Sequence, residues 1–443
     1  MRKALVGIAI SLVTLVVMAE LLAVAWYGLT RGRLFYTSEH TVQQEEALLE
    51  EAVDAASPWG VRHRLHPYFG FTKWTAPERR INNEGFPGNQ HDFPFRKTSP
   101  RQYIVAVFGG SVATSFTNLG QERLIQRLQE HPALADREIV LLNMAQGGYK
   151  QPQSLLALSY YLAAGQEIDL VINLDGFNEV ALSARNASMN IDAAMPSGDH
   201  LLPLADLVNQ SVLTPERVAA LHDIYTRQQR LARLAKGVAG ARLASVAFVR
   251  EQLYRIETAR YRQAVMQFQE SQQTPTNVSD RSLIFIAPSL TGADEDALFR
   301  RVADIWANSS AMMHALLAQR GIPYYHFLQP NQYVSAKPLS AEERRYAYSP
   351  EHPYAVGAVK GYPYLLARAE DLRRQGVRFV NAVDAFDAHP ETLYIDDCCH
   401  FNRRGAEILA DLVADAILAS PPFAGAGEDL GALPGPAHNG GRP

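Results

Sequence analysis

Thiols are almost missing from this chain: in 443 residues there are two cysteines, Cys398 and Cys399, side by side. The pair supports neither a disulfide framework nor a cysteine-type zinc site. A bond between neighbours is strained, so two free thiols are the simpler reading. Excess charge is missing too. The 42 Lys and Arg nearly balance 46 Asp and Glu, with a formal net charge of −4 and no long basic block. Holding a phosphate backbone needs clustered cations, so no nucleic acid partner is expected. No Gly-rich phosphate loop follows a strand, and no His-Glu-x-x-His or Cys-x-x-Cys spacing occurs. No nucleotide, metal or other cofactor is therefore expected. What the chain has in quantity is apolar: 47% of its residues are hydrophobic and 20% charged. That is the composition of a folded protein with a large core, and it excludes a disordered solvating chain.

The longest apolar stretch comes first. Arg2 and Lys3 precede a run from Ala4 to Ala19, and after Glu20 the run resumes from Leu21 to Leu29. As one helix it would measure about 39 Å, against a hydrocarbon core of ~30 Å. Trp26 and Tyr27, followed by Arg31 and Arg33, suit an interface. Glu20 opposes insertion by ~2.5–3.5 kcal/mol at mid-membrane and by less near an end. A cleaved signal peptide is the competing reading, because Val17-Met18-Ala19 and Ala23-Val24-Ala25 both fit the small-residue cleavage pattern. The length of the resumed run favours an uncleaved anchor over 1–33, with the remainder outside the cytoplasm. A single-pass inner-membrane protein facing the periplasm is expected.

A polar, Glu-rich stalk over 34–57 leads into a stretch to residue 100 rich in Pro, Gly, His and aromatics, expected to be ordered and non-helical. Then strands and helices alternate. Tyr103–Phe108, Glu138–Asn143 and Ile168–Leu174 read as strands, with helices around Glu122–Glu130 and Pro152–Ala164. After Asn178 the alternation lapses into helical pattern, read as an inserted helical cap over 185–290, with Ser282–Ala287 open as a strand. Strand character resumes at Ile322–Leu328 and Val377–Asn381, with helices at Tyr362–Gln375 and Arg403–Leu418. Residues 421–443, rich in Gly, Pro and Ala, read as a disordered tail. The expected fold is α/β, a three-layer sandwich around a parallel sheet, split into 101–184 and 291–420.

Four short elements sit where strands end, the place at which open α/β sheets bind ligands. Phe108-Gly109-Gly110-Ser111 exposes a hydroxyl on a tight turn. Asn143-Met144-Ala145-Gln146-Gly147-Gly148-Tyr149 offers backbone N–H groups at a close approach. Asp175-Gly176-Phe177-Asn178-Glu179 brings an amide donor suited to developing negative charge. Asp397-Cys398-Cys399-His400 pairs a general base with a carboxylate that can fix its tautomer. Each alone is an ordinary turn or cap; the ordered combination is the signal. Gln329-Pro330-Asn331-Gln332 reads first as a structural turn and second as a substrate contact. His63, His66, His314, His326, His352 and His389 are scattered.

Gly110-Ser111, Gly148, Gly176-Phe177-Asn178 and Asp397-x-x-His400 resemble blocks I, II, III and V of the SGNH (GDSL-type) hydrolase superfamily over about residues 100–420. The chain also resembles bacterial membrane-anchored members of that superfamily with a similar aromatic lead-in and Asp-Asp-Cys-Cys-His ending. The resemblance implies a flavodoxin-like sheet, Ser111 as nucleophile and His400 as base oriented by Asp397. It implies an oxyanion hole from the Ser111 and Gly148 N–H groups and the Asn178 side chain. Block I reads Gly-Gly-Ser where the superfamily has Gly-Asp-Ser, and Glu179 stands where it has Asp. The expectation is an extracytoplasmic serine ester hydrolase, tethered to the membrane by its first helix and acting on an acylated small molecule or glycan. A polysaccharide O-acyltransferase using the same acyl-enzyme and a catalytically idle partner of a polysaccharide assembly machine are the alternatives.

Overall fold

Five runs dense in Val, Ile, Leu and aromatic residues form the central strands: β1 (Gln102–Gly109), β2 (Glu138–Asn143), β3 (Leu170–Asp175), β4 (Tyr324–Leu328) and β5 (Arg378–Asn381). In the computed structural model they make one parallel sheet in the order β2-β1-β3-β4-β5. Strands covered on both faces have no solvent side to alternate with, and β3 and β4 are buried at every position. The chain leaves β1 in one direction for β2 and then crosses back to β3. The crevice beyond the C-terminal ends of β1 and β3 is therefore the switch point of the sheet.

The helices are α1 (Arg2–Arg31), α2 (Ser111–Gln129), α3 (Gln153–Ala163), α4 (Phe177–Ser188), α5 (Gly198–Val208), α6 (Pro215–Ala239), α7 (Ala244–Gln272), α8 (Glu295–Ala318), α9 (Ala341–Tyr346), α10 (Pro353–Arg374) and α11 (Arg403–Leu418). Residues 2–31, 35–37, 63–208, 215–239, 241–272, 284–420 and 423 are described. The expected stalk (34–57) and tail (421–443) fall outside them, apart from residues 35–37 and 423.

Two units result. One joins Met1–Leu65 to Leu201–Phe285; the other joins His66–His200 to Ile286–Pro443 and contains the sheet. The helical segment thus divides from the sheet unit at 200/201 and 285/286, inside the expected limits of 185 and 290. Residues 284–287 are not a strand; Ala287 instead accepts a bond from the Asp192 N–H.

In the first unit α6 and α7 pack together, and α1 lies on the start of α7 through Ala23, Tyr27, Ala244 and Ala247. Glu20, the charge that interrupts the apolar run, accepts the Ala244 and Ser245 N–H groups at 2.7 and 3.1 Å and the Ser245 hydroxyl at 2.6 Å. It satisfies donors that the first turn of α7 leaves open. The Tyr27 hydroxyl donates to Glu251 at 3.0 Å. Among the described residues no helix is long and apolar enough to cross a membrane; the first nine side chains of α1 and those at positions 12, 30 and 31 are outside that description.

In the sheet unit α2 packs on α11, while α4, α8 and α10 pack on one another with α3 against α8. Such grouping follows from right-handed crossovers that leave β1 in opposite directions. Helix α2 begins at Ser111, well before Glu122, although Val112, Thr114 and Thr117 are weak helix formers; their side chains are buried, and packing outweighs propensity. Helix α10 begins at Pro353, nine residues before Tyr362. Its Gly357 and Gly361 hid it from the pattern and let it press on α4. A Cβ on Gly361 would lie 2.4 Å from Val180 Cβ, and one on Gly357 2.9 Å from Ala181 Cα.

Gly361→Ala should therefore destabilise the sheet unit by ~1–3 kcal/mol through overpacking, despite a helix-propensity gain of up to ~1 kcal/mol. A urea midpoint at or above wild type would show that α4 and α10 are not in this close contact.

Candidate functional site

Three strand ends meet in the crevice because side chains are missing there. Gly109 has φ +140°, and a Cβ on it would stand 2.0 Å from the Leu174 carbonyl oxygen. A Cβ on Gly110 would stand 2.2 Å from Asn178 Nδ2 and 3.2 Å from the Tyr149 carbonyl oxygen. A side chain on Gly110 would have to displace the Asn178 amide. Gly110 caps α2 in extended conformation, so Ser111 is the first helical residue. Among the described residues nothing accepts the Ser111 N–H, as expected for the first turn of a helix.

The β2–α3 loop supplies the next part. The N–H groups of Gly147 and Gly148 also have no acceptor among the described residues. Gly147 lies beside Ser111, a Cβ on it falling 3.8 Å from Ser111 Cβ. Gly148 has φ +80° and lies beneath the His200 ring, whose atoms would be 2.4–2.8 Å from an added Cβ. The aromatic lead-in holds this loop. Gln146 donates to the Gly85 carbonyl at 3.1 Å, the Tyr149 hydroxyl to that of Phe71 at 2.8 Å, and Asn89 and Asn143 exchange two bonds.

Asn178 reaches the same place from α4. Its Nδ2 donates to the Tyr149 carbonyl at 2.7 Å, leaving the amide's second hydrogen for another acceptor. Glu179 joins this element to the β2–α3 loop by accepting the Gln151 N–H at 2.9 Å and the Gly176 N–H at 2.8 Å. Burial and the nearby Asp175 charge push its carboxyl up to about 8.

The loop after β5 brings His400. Its Nδ1 is 2.5 Å from Asp396 Oδ2. The carboxylate on the imidazole is thus Asp396, and the expectation for Asp397 is corrected. Asp396 Oδ1 accepts the N–H groups of Cys398, Cys399 and His400 at 3.1, 3.1 and 3.2 Å. The backbone winds around that one oxygen and turns His400 back onto it, while Asp397 is held through its carbonyl, which accepts the Tyr333 hydroxyl at 2.6 Å. His400 and these N–H donors outweigh burial and hold the Asp396 carboxyl near 2, so it stays charged at any pH where an imidazole is neutral. Cys398, Cys399 and His400, with donor atoms within 4.8 Å of one another, are the one such cation-sized group among the described residues.

Two features around the site carry no sequence motif. His200 bonds Ser197 at 3.0 Å and stacks on Phe71 with centroids 4.9 Å apart. Beside it, Asp199 accepts from Arg185 at 3.2 Å and from the Tyr354 hydroxyl at 3.1 Å. The second feature is a fully buried ion pair, Lys337–Glu343, at 2.7 Å. Glu343 also accepts the Leu393 and Tyr394 N–H groups, both at 2.9 Å, and Lys337 donates to the Glu391 carbonyl at 3.0 Å. It fastens the segment that leads into the His400 loop. Gln332 and Asn331 donate to the carbonyls of Asp396 and Cys398, at 3.0 and 3.2 Å, so the Gln329–Gln332 turn braces that loop. The other histidines have work elsewhere: His66 stacks on Phe69, His352 caps α10 and His389 meets Glu391.

Lys337 and the N–H donors lower the Glu343 carboxyl against its desolvation. A carboxyl depressed in the fold contributes stability that is complete above its unfolded value, about 4.3 for Glu, and lost as pH falls through the folded one. The urea midpoint should decline below about pH 4, as Glu343 and then Asp396 titrate. Glu343→Gln should cost ~3–5 kcal/mol at neutral pH by leaving Lys337 uncompensated, and should flatten the acid decline. An unchanged acid slope in this variant would remove Glu343 from the account.

No family model matches the chain, and no curated protein matches it.

Proposed function

We propose that the protein is a serine ester hydrolase of the SGNH type. The observation that carries this reading is the arrangement of four groups: the Ser111 hydroxyl at the start of α2, the open N–H groups of Gly147-Gly148 beside it, the Asn178 amide against Gly110, and a His400 backed by a carboxylate. Ser111 attacks an acyl carbonyl while His400 takes its proton. The developing oxyanion is met by the N–H groups and the Asn178 amide. His400 then returns the proton to the leaving alcohol, and water, activated by the same imidazole, releases the acid. Asp396 holds the ring's tautomer and stabilises its charged form. The acyl donor is an acylated small molecule or glycan; where a sugar hydroxyl replaces water in the second step, the same acyl-enzyme serves acyl transfer.

Ser111→Ala should abolish turnover of p-nitrophenyl acetate and labelling by a fluorophosphonate probe, with the melting temperature little changed. Asn178→Ala should lower kcat by ~10²–10³. Asp396→Asn should lower it by up to ~10⁴, whereas Asp397→Asn should stay within a few-fold of wild type. Full activity in the Ser111 variant would end the reading, and the reverse ranking of the two aspartates would return the role to Asp397. Supplying an acyl donor together with a glycan separates hydrolase from transferase by the product formed.

The continuous 30-residue helix α1 is the proposed tether to the inner membrane, with the catalytic unit on the periplasmic side. Val13, Leu15, Val16, Val17, Met18, Leu21 and Leu22 present an exposed apolar surface along it, while the Ala23 and Tyr27 face is covered by α7. The full chain should sediment with membranes through high salt and alkaline carbonate and be released by detergent. Release by salt alone would exclude an inserted helix.

A further inference from the structure

We propose that Cys398 and Cys399 are an oxidation site, closing reversibly to a vicinal disulfide that disables the Ser111–His400 site. The effect on activity rests on the hydrolase reading above; the closure itself does not. The two Sγ atoms are 3.1 Å apart, about 1 Å beyond a disulfide bond, and both cysteines are free thiols. Neighbouring Cα atoms stand ~3.8 Å apart across a trans peptide, below the ~4.4 Å at which unstrained disulfides begin. A strained disulfide is readily reduced, which makes this pair a labile bond rather than a structural one.

The chemistry balances with an external disulfide as oxidant. One cysteine thiolate attacks a sulfur of the oxidant and expels the first thiolate; the second attacks the mixed disulfide and expels the other. The oxidant ends as two thiols carrying the protons of Cys398 and Cys399, and the protein has lost two electrons to it. The Cys399 contact and burial push the Cys398 thiol well above its ordinary value, and burial pushes the Cys399 thiol up. Exchange is therefore slow at neutral pH and quickens on the alkaline side.

Closure acts on the site through the backbone. The N–H groups of Cys398, Cys399 and His400 share Asp396 Oδ1, the other oxygen of which holds His400. Forming the ring turns the peptide between the two cysteines and so breaks into this set.

The test treats the full chain in detergent with oxidised glutathione at mildly alkaline pH. Peptide mass spectrometry, amide hydrogen exchange and p-nitrophenyl acetate turnover are read before oxidation, after it, and after dithiothreitol. Expected are a 398–399 peptide lighter by two hydrogens, faster exchange at the N–H groups of 398–400, and a loss of turnover of at least tenfold. All three should reverse on reduction. Cys398→Ser should keep its turnover in the presence of the oxidant. Stable glutathione adducts, links between chains, or a closed ring with unchanged exchange and turnover would overturn the proposal. A reduced chain that neither turns over ester nor labels at Ser111 refutes the hydrolase reading instead, and mass and exchange then decide the closure alone.

Discussion

The approach of three chain segments at Gly110 is the constraint on which the site depends. Parallel strands bring β1 and β3 side by side, but their loops can touch only where side chains are absent. The Asn178 amide occupies the space a Cβ on Gly110 would take, and the Tyr149 carbonyl that holds this amide lies next to it. Gly109 does the same against the Leu174 carbonyl. A side chain on Gly110 would displace the Asn178 amide, and one on Gly109 would press on the Leu174 backbone. The glycines therefore set the spacing between the Ser111 hydroxyl and the Asn178 amide.

A Ser–His–Asp chain joining α8, β4 and β3 shows how little connectivity alone implies. Ser310 bonds His326 Nδ1 at 2.8 Å, and His326 Nε2 bonds Asp175 at 2.8 Å. All three are sealed in the core. Asp175 takes further bonds from Trp306 at 2.7 Å and Asn173 at 2.7 Å, and Ser310 is shared with the Tyr324 hydroxyl at 3.1 Å. This network satisfies buried polar groups and ties β3 and β4 to α8. Ser111 differs by its place: half-exposed, at the start of a helix, beside N–H groups that have no acceptor.

The strands and the four strand-end elements were legible in sequence because local chemistry dictates them: β-branched runs for a buried sheet, and glycine clusters where the chain must turn sharply. Spacing was a poorer guide where two candidates stand together. Asp396 and Asp397 are identical in type, and the choice between them follows from three N–H groups converging on one oxygen, a property of the folded loop. His200 comes from outside the four elements and reaches Gly148 only through the tertiary fold. The start of α10 was hidden because Gly357 and Gly361 lower helix propensity, while the packing that favours them needs α4 as partner. The first helix and the 201–285 segment read as separate features, and their pairing rests on Glu20 meeting the first turn of α7.

The buried Lys337–Glu343 pair extends the same logic to the base. Removing two charges from water costs several kcal/mol per ion, and their attraction alone often fails to offset it. Here each charge has further partners: Glu343 takes three backbone N–H groups, from Ser340, Leu393 and Tyr394, and Lys337 gives to backbone carbonyls on both sides. Those are groups that a loop crossing the protein interior would otherwise leave unpaired. The segment 391–394 is thereby fixed, and the loop beyond it winds around Asp396 between the Tyr394–Phe401 bridge and the start of α11. The ionised Asp396 gathers the N–H groups of 398–400 and holds the His400 ring. His400 is thus positioned by two carboxylates in series, the buried Glu343 and the Asp396 it bonds.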